Sequence, residues 1–432
     1  GRFARNFDSQ HTQMTHKTIL FFALIFSVGM AAQKQQDTPY SFFGIGTLFQ
    51  AKTIEESMMG GIGTAISDPV HLNFSNPASL SGLRFTNFSV GVVNSQTTIS
   101  DADVQQKTSV FSIPYVALGI PLGNKAGFTT GFRAKTAVGY ALTDGDIATD
   151  EGLYTYEGNG GSNSLFFGMG VLVFKGLSVG IEGAYVFGDL ENNITHQQNE
   201  ILYDTREKTT AVLRGFDTKL GLHYQGKVSK KQVYNLGMTF LKSKELKVTE
   251  TSSFYSGFFS ADFESVKNTL APVTKEGSID NPLNTTLAIG YGELTKWYAS
   301  IEYSFNDAVT YNGSTLQNNV RQLKFDNYQR ISLGGYFIPK YNSLSSYFSR
   351  VVYRAGIKYE NSGMYLDGTE ITDFGMSFGI GLPMGKGLSD LNVGVEYGIK
   401  GEATDTLVEE KYINLKLSLS LGDKWFRKRK ID

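Results

Sequence analysis

The chain has 432 residues, with 40 Lys+Arg against 41 Asp+Glu for a net charge of -1, a balance that leaves no electrostatic footprint for nucleic acid. It contains no cysteine, which excludes disulfides, thiolate metal sites, a cysteine nucleophile and a lipidated N-terminal cysteine. The length suits two domains or one large barrel, and 48 glycines, 13% aromatics and only 9 prolines suit many strands, tight turns and interfacial belts.

Residues 1–13 carry no pattern. Met14 is followed by Thr15-His16-Lys17, an apolar run from Ile19 to Met30 and the small pair Ala31-Ala32. A short basic start, an apolar stretch and small residues spell a secretory signal peptide, so residues 1–32 read as a leader that starts at Met14 and is cleaved near Ala31 or Ala32. The run is shorter than the roughly 20 residues a membrane-crossing helix needs. No later stretch comes near that length, so membrane insertion implies a barrel.

Residues 33–84 do not alternate. They hold Pro39-Tyr40-Ser41-Phe42-Phe43-Gly44-Ile45-Gly46, then Met58 to Ala65 with Gly60, Gly61 and Gly63, and Asn73-Phe74-Ser75-Asn76-Pro77-Ala78-Ser79-Leu80 after Asp68-Pro69. Glycines among small residues indicate backbone packed closely against something else. Aromatic-rich residues upstream of a barrel fold most simply into its lumen as a hatch, because a wide barrel is not filled by its own side chains.

From residue 85 the chain becomes a succession of period-2 segments. Leu391, Val393, Val395, Tyr397 and Ile399 alternate with Asn392, Gly394, Glu396, Gly398 and Lys400, and other segments repeat the pattern clearly. The reading is an all-β, antiparallel transmembrane barrel over 85–423 with about fourteen strands: 85–98, 107–120, 126–140, 163–175, 177–188, 211–226, 232–246, 284–294, 296–306, 328–339, 349–360, 372–383, 389–400 and 411–422. Brief connections alternate with long polar stretches at 99–106, 141–162, 189–210, 247–283, 307–327, 361–371 and 401–410, which read as outer loops. Both barrel termini then lie in the periplasm. Tyr140, Phe187, Tyr291, Trp297, Tyr303, Phe305, Tyr336 and Tyr412 are expected in the interfacial girdles. Residues 424–432, with Arg427 to Lys430, read as a basic periplasmic tail.

The run Met59-Gly60-Gly61-x-Gly63 through Asp68 to Asn76-Pro77-Ala78-x-Leu80, just before the first strand, resembles the hatch of the FadL/TodX outer-membrane family. The Pro-Tyr-Ser-Phe-Phe-Gly-Ile-Gly run upstream resembles members found in Bacteroidetes. The resemblance implies a monomeric barrel of fourteen strands with an N-terminal hatch in the bacterial outer membrane. It implies passive inward passage of hydrophobic molecules of the long-chain fatty acid kind, released by a change in the hatch and an opening in the wall. It also allows an accessory, partner-binding barrel of a secretion or outer-membrane assembly complex.

Neither role needs a catalytic residue, a metal or another cofactor, and the sequence offers no constellation for them. Gly375-Met376-Ser377-Phe378-Gly379 matches a nucleophile-elbow string but sits inside a strand pattern. The five histidines, His71 in the hatch among them, lack ligand spacing. Alternation points Arg133, Lys135, Glu182, Glu302, Arg354, Lys358, Glu360 and Glu396 into the lumen, where they pair with one another or with the hatch, or meet a ligand carboxylate. Phe254, Tyr255, Phe258 and Phe259, in the longest predicted loop with Phe263, are candidates for first contact with a hydrophobic ligand, or pack that loop on itself.

Overall fold

A computed structural model describes residues 38–101, 104–149, 151–259, 264–313, 323–385, 388–404 and 407–424. The leader with Met14, Phe263 and the basic tail from Trp425 lie outside these residues.

Fourteen antiparallel strands form the wall. They are β1 Thr86–Ser100, β2 Gln105–Leu122, β3 Ala126–Asp146, β4 Gly152–Phe174, β5 Leu177–Gln197, β6 Asp204–Lys227 and β7 Val233–Ser243, then β8 Asn284–Glu293, β9 Trp297–Asn306, β10 Tyr328–Phe337, β11 Val352–Leu366, β12 Thr369–Met384, β13 Ser389–Gly401 and β14 Glu409–Asp423. Each strand pairs with its sequence neighbours, and β1 pairs with β14 from Thr86↔Asp423 to Ser100↔Glu409, which closes the sheet on itself. Pairing of the first strand with the last turns the open sheet into a barrel, the condition for strands to cross lipid.

The alternation seen in the sequence sorts the wall into two faces. Ile357, Phe378 and Leu415 point out and are 45%, 56% and 50% exposed, a waste of apolar surface in water but the required outer face in lipid. Their neighbours Lys358, Ser377 and Lys416 point in and are covered. The molecule is therefore an outer-membrane-type β-barrel. Among the described residues no helix is long and apolar enough to cross a membrane, and the crossing is made by strands.

Two expectations are corrected. The polar stretches 141–162 and 189–210 are ladder for most of their length: β3 and β4 stay paired from Ala141↔Glu157 to Asp146↔Gly152, and β5 and β6 out to His196↔Thr205. Much of 247–283 is likewise strand, as Leu246–Phe259, Glu264–Thr269 and Val273–Asp280. The 24 residues of β6 span roughly 80 Å along the strand, well beyond a hydrocarbon core of about 30 Å. Beyond the lipid neither face is uniformly apolar, so the period-2 signal fades while Thr, Tyr and Val keep the extended backbone. The second correction concerns aromatics: Tyr140, Tyr336 and Tyr412 are not girdle residues. Tyr140 packs inward on Phe42, Tyr336 stacks on Tyr298 and donates to the Leu294 carbonyl, and Tyr412 donates to Asp373.

The core sits inside the barrel, between wall and hatch. Ile54, Met58, Leu72, Phe74 and Leu83 of the hatch pack with Tyr115, Ala117, Phe166 and Ala184 of the wall.

Candidate functional site

The hatch is built from two short turns held by side chains. Thr53 caps the one-turn helix Ile54–Ser57, and Glu56 completes a capping box by accepting from the Thr53 N–H at 2.7 Å. Ser75 Oγ donates to the other Glu56 oxygen at 2.6 Å, so one buried carboxylate joins the helix to the Asn73–Asn76 turn. Burial pushes the Glu56 carboxyl up, against the pull of Lys52. Asn76 caps the 3-10 turn Pro77–Gly82 through Ala78 N–H, and its amide donates to the carbonyls of Thr64 (2.8 Å) and Leu222 (2.9 Å). The Asn-Pro-Ala residues thus act in turn, since Asn caps and ties hatch to wall, Pro starts the turn, and Ala leaves room for β5. Gly60 and Gly61 follow the helix with φ of +69° and +81°, a conformation that favours glycine.

The wall meets the hatch with glycines. A methyl group at Gly127, Gly170, Gly180, Gly237, Gly334 or Gly356 would be driven into the hatch backbone between Met59 and Leu80. Backbone thus approaches backbone across the lumen, and charges fix the register. Glu302 on β9 accepts from Lys52 Nζ (2.6 Å) and from the N–H groups of Gly63 (3.0 Å) and Thr64 (2.9 Å). Arg330 on β10 donates to the Gly60 carbonyl at 2.9 Å, and Lys219 on β6 to that of Phe74 at 2.8 Å. Asn392 on β13 donates to Glu55 at 2.9 Å and accepts from Arg354 at 2.8 Å. His71 lies between Asp68 of the hatch, at 3.0 Å, and Asp390 of β13, at 2.5 Å. Burial opposes a charge on His71, but the two carboxylates outweigh it and hold its pKa well above the usual imidazole range. Asp68 is drawn the other way: burial would raise it, and His71 brings it down to about 2.

On the side of the long hairpins, a cavity of about 370 Å³ lies over the hatch. Phe43, Val93, Val110, Ile113, Tyr311 and Phe325 give it apolar walls, while Lys52, Arg330, Lys358, Glu360 and Glu396 line its hatch end. Lys358 pairs with Glu396 at 2.9 Å and Asp373 at 3.3 Å, so these charges largely answer one another.

All eight charges singled out in the sequence face the lumen or the hatch. Arg133 pairs with Glu182 and lies over Phe166, 4.4 Å from the ring centre, and Lys135 pairs with Asp217. Glu302, Arg354, Lys358, Glu360 and Glu396 join the contacts above, Glu360 accepting from Gln50 at 2.8 Å. Phe254, Tyr255, Phe258 and Phe259 lie on a paired strand rather than in a loop and do not line the cavity. Phe254 and Phe258 are exposed, whereas Phe259 is buried beneath Arg206. Sequence reading missed Lys52, Arg330, Lys219, Asn392 and Glu56. Arg330 and Lys219 stood in alternation with Ile331 and Leu220, and Thr53-x-x-Glu56 is a capping-box string, so their signals were present.

A family model described as BamG matches residues 14–432. The chain belongs to the BamG family. No curated protein matches it. Among solved structures it is similar to the toluene transporter TodX of P. putida, with TM-score 0.59 and 17% identity over 88% of this chain and 99% of that one. It is similar to the monoaromatic hydrocarbon channel CymD at TM-score 0.54 and 15% identity, covering 89% and 99%, and to a Pseudomonas aeruginosa FadL homologue at 0.56 and 9%, covering 88% and 98%. At such identities the likeness is one of fold: this member of the BamG family has a FadL/TodX-type barrel.

Proposed function

We propose that the chain is a bacterial outer-membrane channel through which small hydrophobic molecules pass inward without an energy source or covalent chemistry. The cavity carries this reading. At about 370 Å³, with apolar walls and a set of charged side chains that includes Lys52, Arg330, Lys358, Glu396 and Lys416, it falls within the 300–1,000 Å³ typical of small-molecule sites. TodX and CymD, which share the fold, are respectively a toluene transporter and a monoaromatic hydrocarbon channel. The hatch blocks the axis below the cavity, so passage along the axis requires the hatch to move.

A second reading is an accessory barrel that binds partner proteins, and the hatch favours it. Freeing the hatch means breaking the Lys52–Glu302 pair and the contacts of Arg330, Lys219 and Asn392 together. Such a plug suits a static scaffold. The test is native mass spectrometry of the protein taken from its own membranes in mild detergent. A stoichiometric apolar molecule on a monomer supports the channel. A stable complex with envelope proteins and an empty cavity refutes it in favour of the second reading.

A further inference from the structure

The wall is zipped between β2 and β3 only from Leu122↔Ala126 to Tyr115↔Arg133. Beyond that point β3 offers the same edge to the chain's own N-terminal segment: Thr47 and Leu48 pair with Ala137 and Thr136, and Phe49 N–H donates to the Lys135 carbonyl at 2.8 Å. Across the seam, Ser109 to Ser112 pair with β1, opposite Gln96 to Val93. Among the described residues no ladder joins the other edge of Ser109–Ile113 to β3 or to Thr47–Leu48. Pro114, without an N–H, stands where the β2–β3 zipper stops.

The apolar belt breaks at the same place. On β14 the outward residues Ile413, Leu415, Leu417 and Leu421 are exposed and apolar, and their partners on β1 are Gln96, Asn94, Val92 and Phe88. Two amides therefore stand beside lipid-facing Ile413 and Leu415, and Ser109 on β2 is opposite Gln96. The adjoining outward row of β13, from Leu391 to Ile399, has no amide side chain. Lipid cannot satisfy a strand edge or an amide, so each such group left facing it stays without a hydrogen-bond partner. An apolar molecule slipping sideways through the seam gains nothing from amides at its lip. An extended polypeptide does, since its backbone supplies donors and acceptors at ladder spacing.

We propose that Ser109–Ile113, with Asn94 and Gln96 beside it, is a docking edge for an extended strand of a different membrane-embedded polypeptide. The facing edge of the same seam is already completed in this way by Thr47–Phe49, so strand addition is the mode this opening accepts. Five residues give about 17 Å of ladder, the length of a short strand. Phe111, 49% exposed, provides an apolar seat under the added strand. The proposal requires no ligand in the lumen, although Val110 and Ile113 of this segment also wall the cavity.

The test compares amide exchange at Ser109–Ile113 in native-membrane discs and in the purified chain reinserted alone into phosphatidylethanolamine/phosphatidylglycerol vesicles. Alternate amides should exchange at least about a hundredfold faster in the vesicles. A photo-cross-linker at Ser109 should yield one protein adduct mapped to an extended segment, absent with the same group at Leu333 and reduced in the Asn94→Leu/Gln96→Leu double variant, which leaves the ladder intact. Equal protection in both settings, lipid adducts only, or an adduct with a second copy of this chain overturns the proposal.

Discussion

Replacing Glu302 by Ala should loosen the hatch without opening the barrel. The carboxylate is 4% exposed and holds three donors, the Lys52 ammonium and the N–H groups of Gly63 and Thr64. Its loss leaves a charge beneath the cavity without its ion-pair partner and two N–H groups without acceptors. Breaking one side of a buried pair costs about 3–5 kcal/mol. At about 1.4 kcal/mol per factor of ten, that raises the opening equilibrium of the hatch by roughly a hundred- to several-thousandfold. The assay is amide exchange over residues 60–66, with strand amides of β9 and β10 as the internal reference. Glu302→Gln keeps an acceptor for the two N–H groups and loses only the charge, so its effect should fall between wild type and Ala. Unchanged exchange in Glu302→Ala would refute the view that this carboxylate anchors the hatch. An equal rise in the β9 and β10 amides would show that it supports the wall instead.

Gly356→Val should displace the Met59–Gly60 turn, because the new side chain has only hatch backbone to occupy; proteolysis should then cut within residues 57–64 while the barrel band stays folded. The hatch should respond to pH through His71. Its raised pKa means a stabilising contribution fully present below the unfolded value of about 6.5 and lost as pH climbs through the raised one. Asp68, held at about 2, contributes above its unfolded value of about 3.9 and loses that contribution as pH falls through 2. Exchange at residues 68–72, corrected for intrinsic rates, should therefore be flat between these limits, and His71→Gln should remove the alkaline limb. Val93→Trp projects a bulky ring into the cavity and should abolish any bound apolar molecule seen by native mass spectrometry, with the barrel's thermal transition little changed.

The barrel was legible because lipid outside and hatch inside impose opposite chemistry on alternate residues, and Leu391 to Lys400 record that alternation directly. The hatch motif was legible for a related reason: Gly60-Gly61 and Asn76-Pro77-Ala78 are the residues that sharp turns and close backbone approach demand. The reading failed where that chemistry lapses. Residues 141–162 and 189–210 stand beyond the lipid, so their ladder left no apolar stripe, and Tyr140, Tyr336 and Tyr412 look like girdle aromatics until their inward partners are seen.

By itself, then, the sequence determined what the local environment writes into it: closed β architecture, the number of strands and the two-faced alternation of the wall. The tertiary structure decided which groups meet. Lys52 finds Glu302 across 250 positions and His71 finds Asp390 across 319, and no periodicity encodes such separations. The stopped zipper between β2 and β3 leaves only Pro114 as a trace in sequence; the register shifts beside it, near Val93 and Ala134, and the N-terminal segment pairing on β3 create the cavity wall and the open edge.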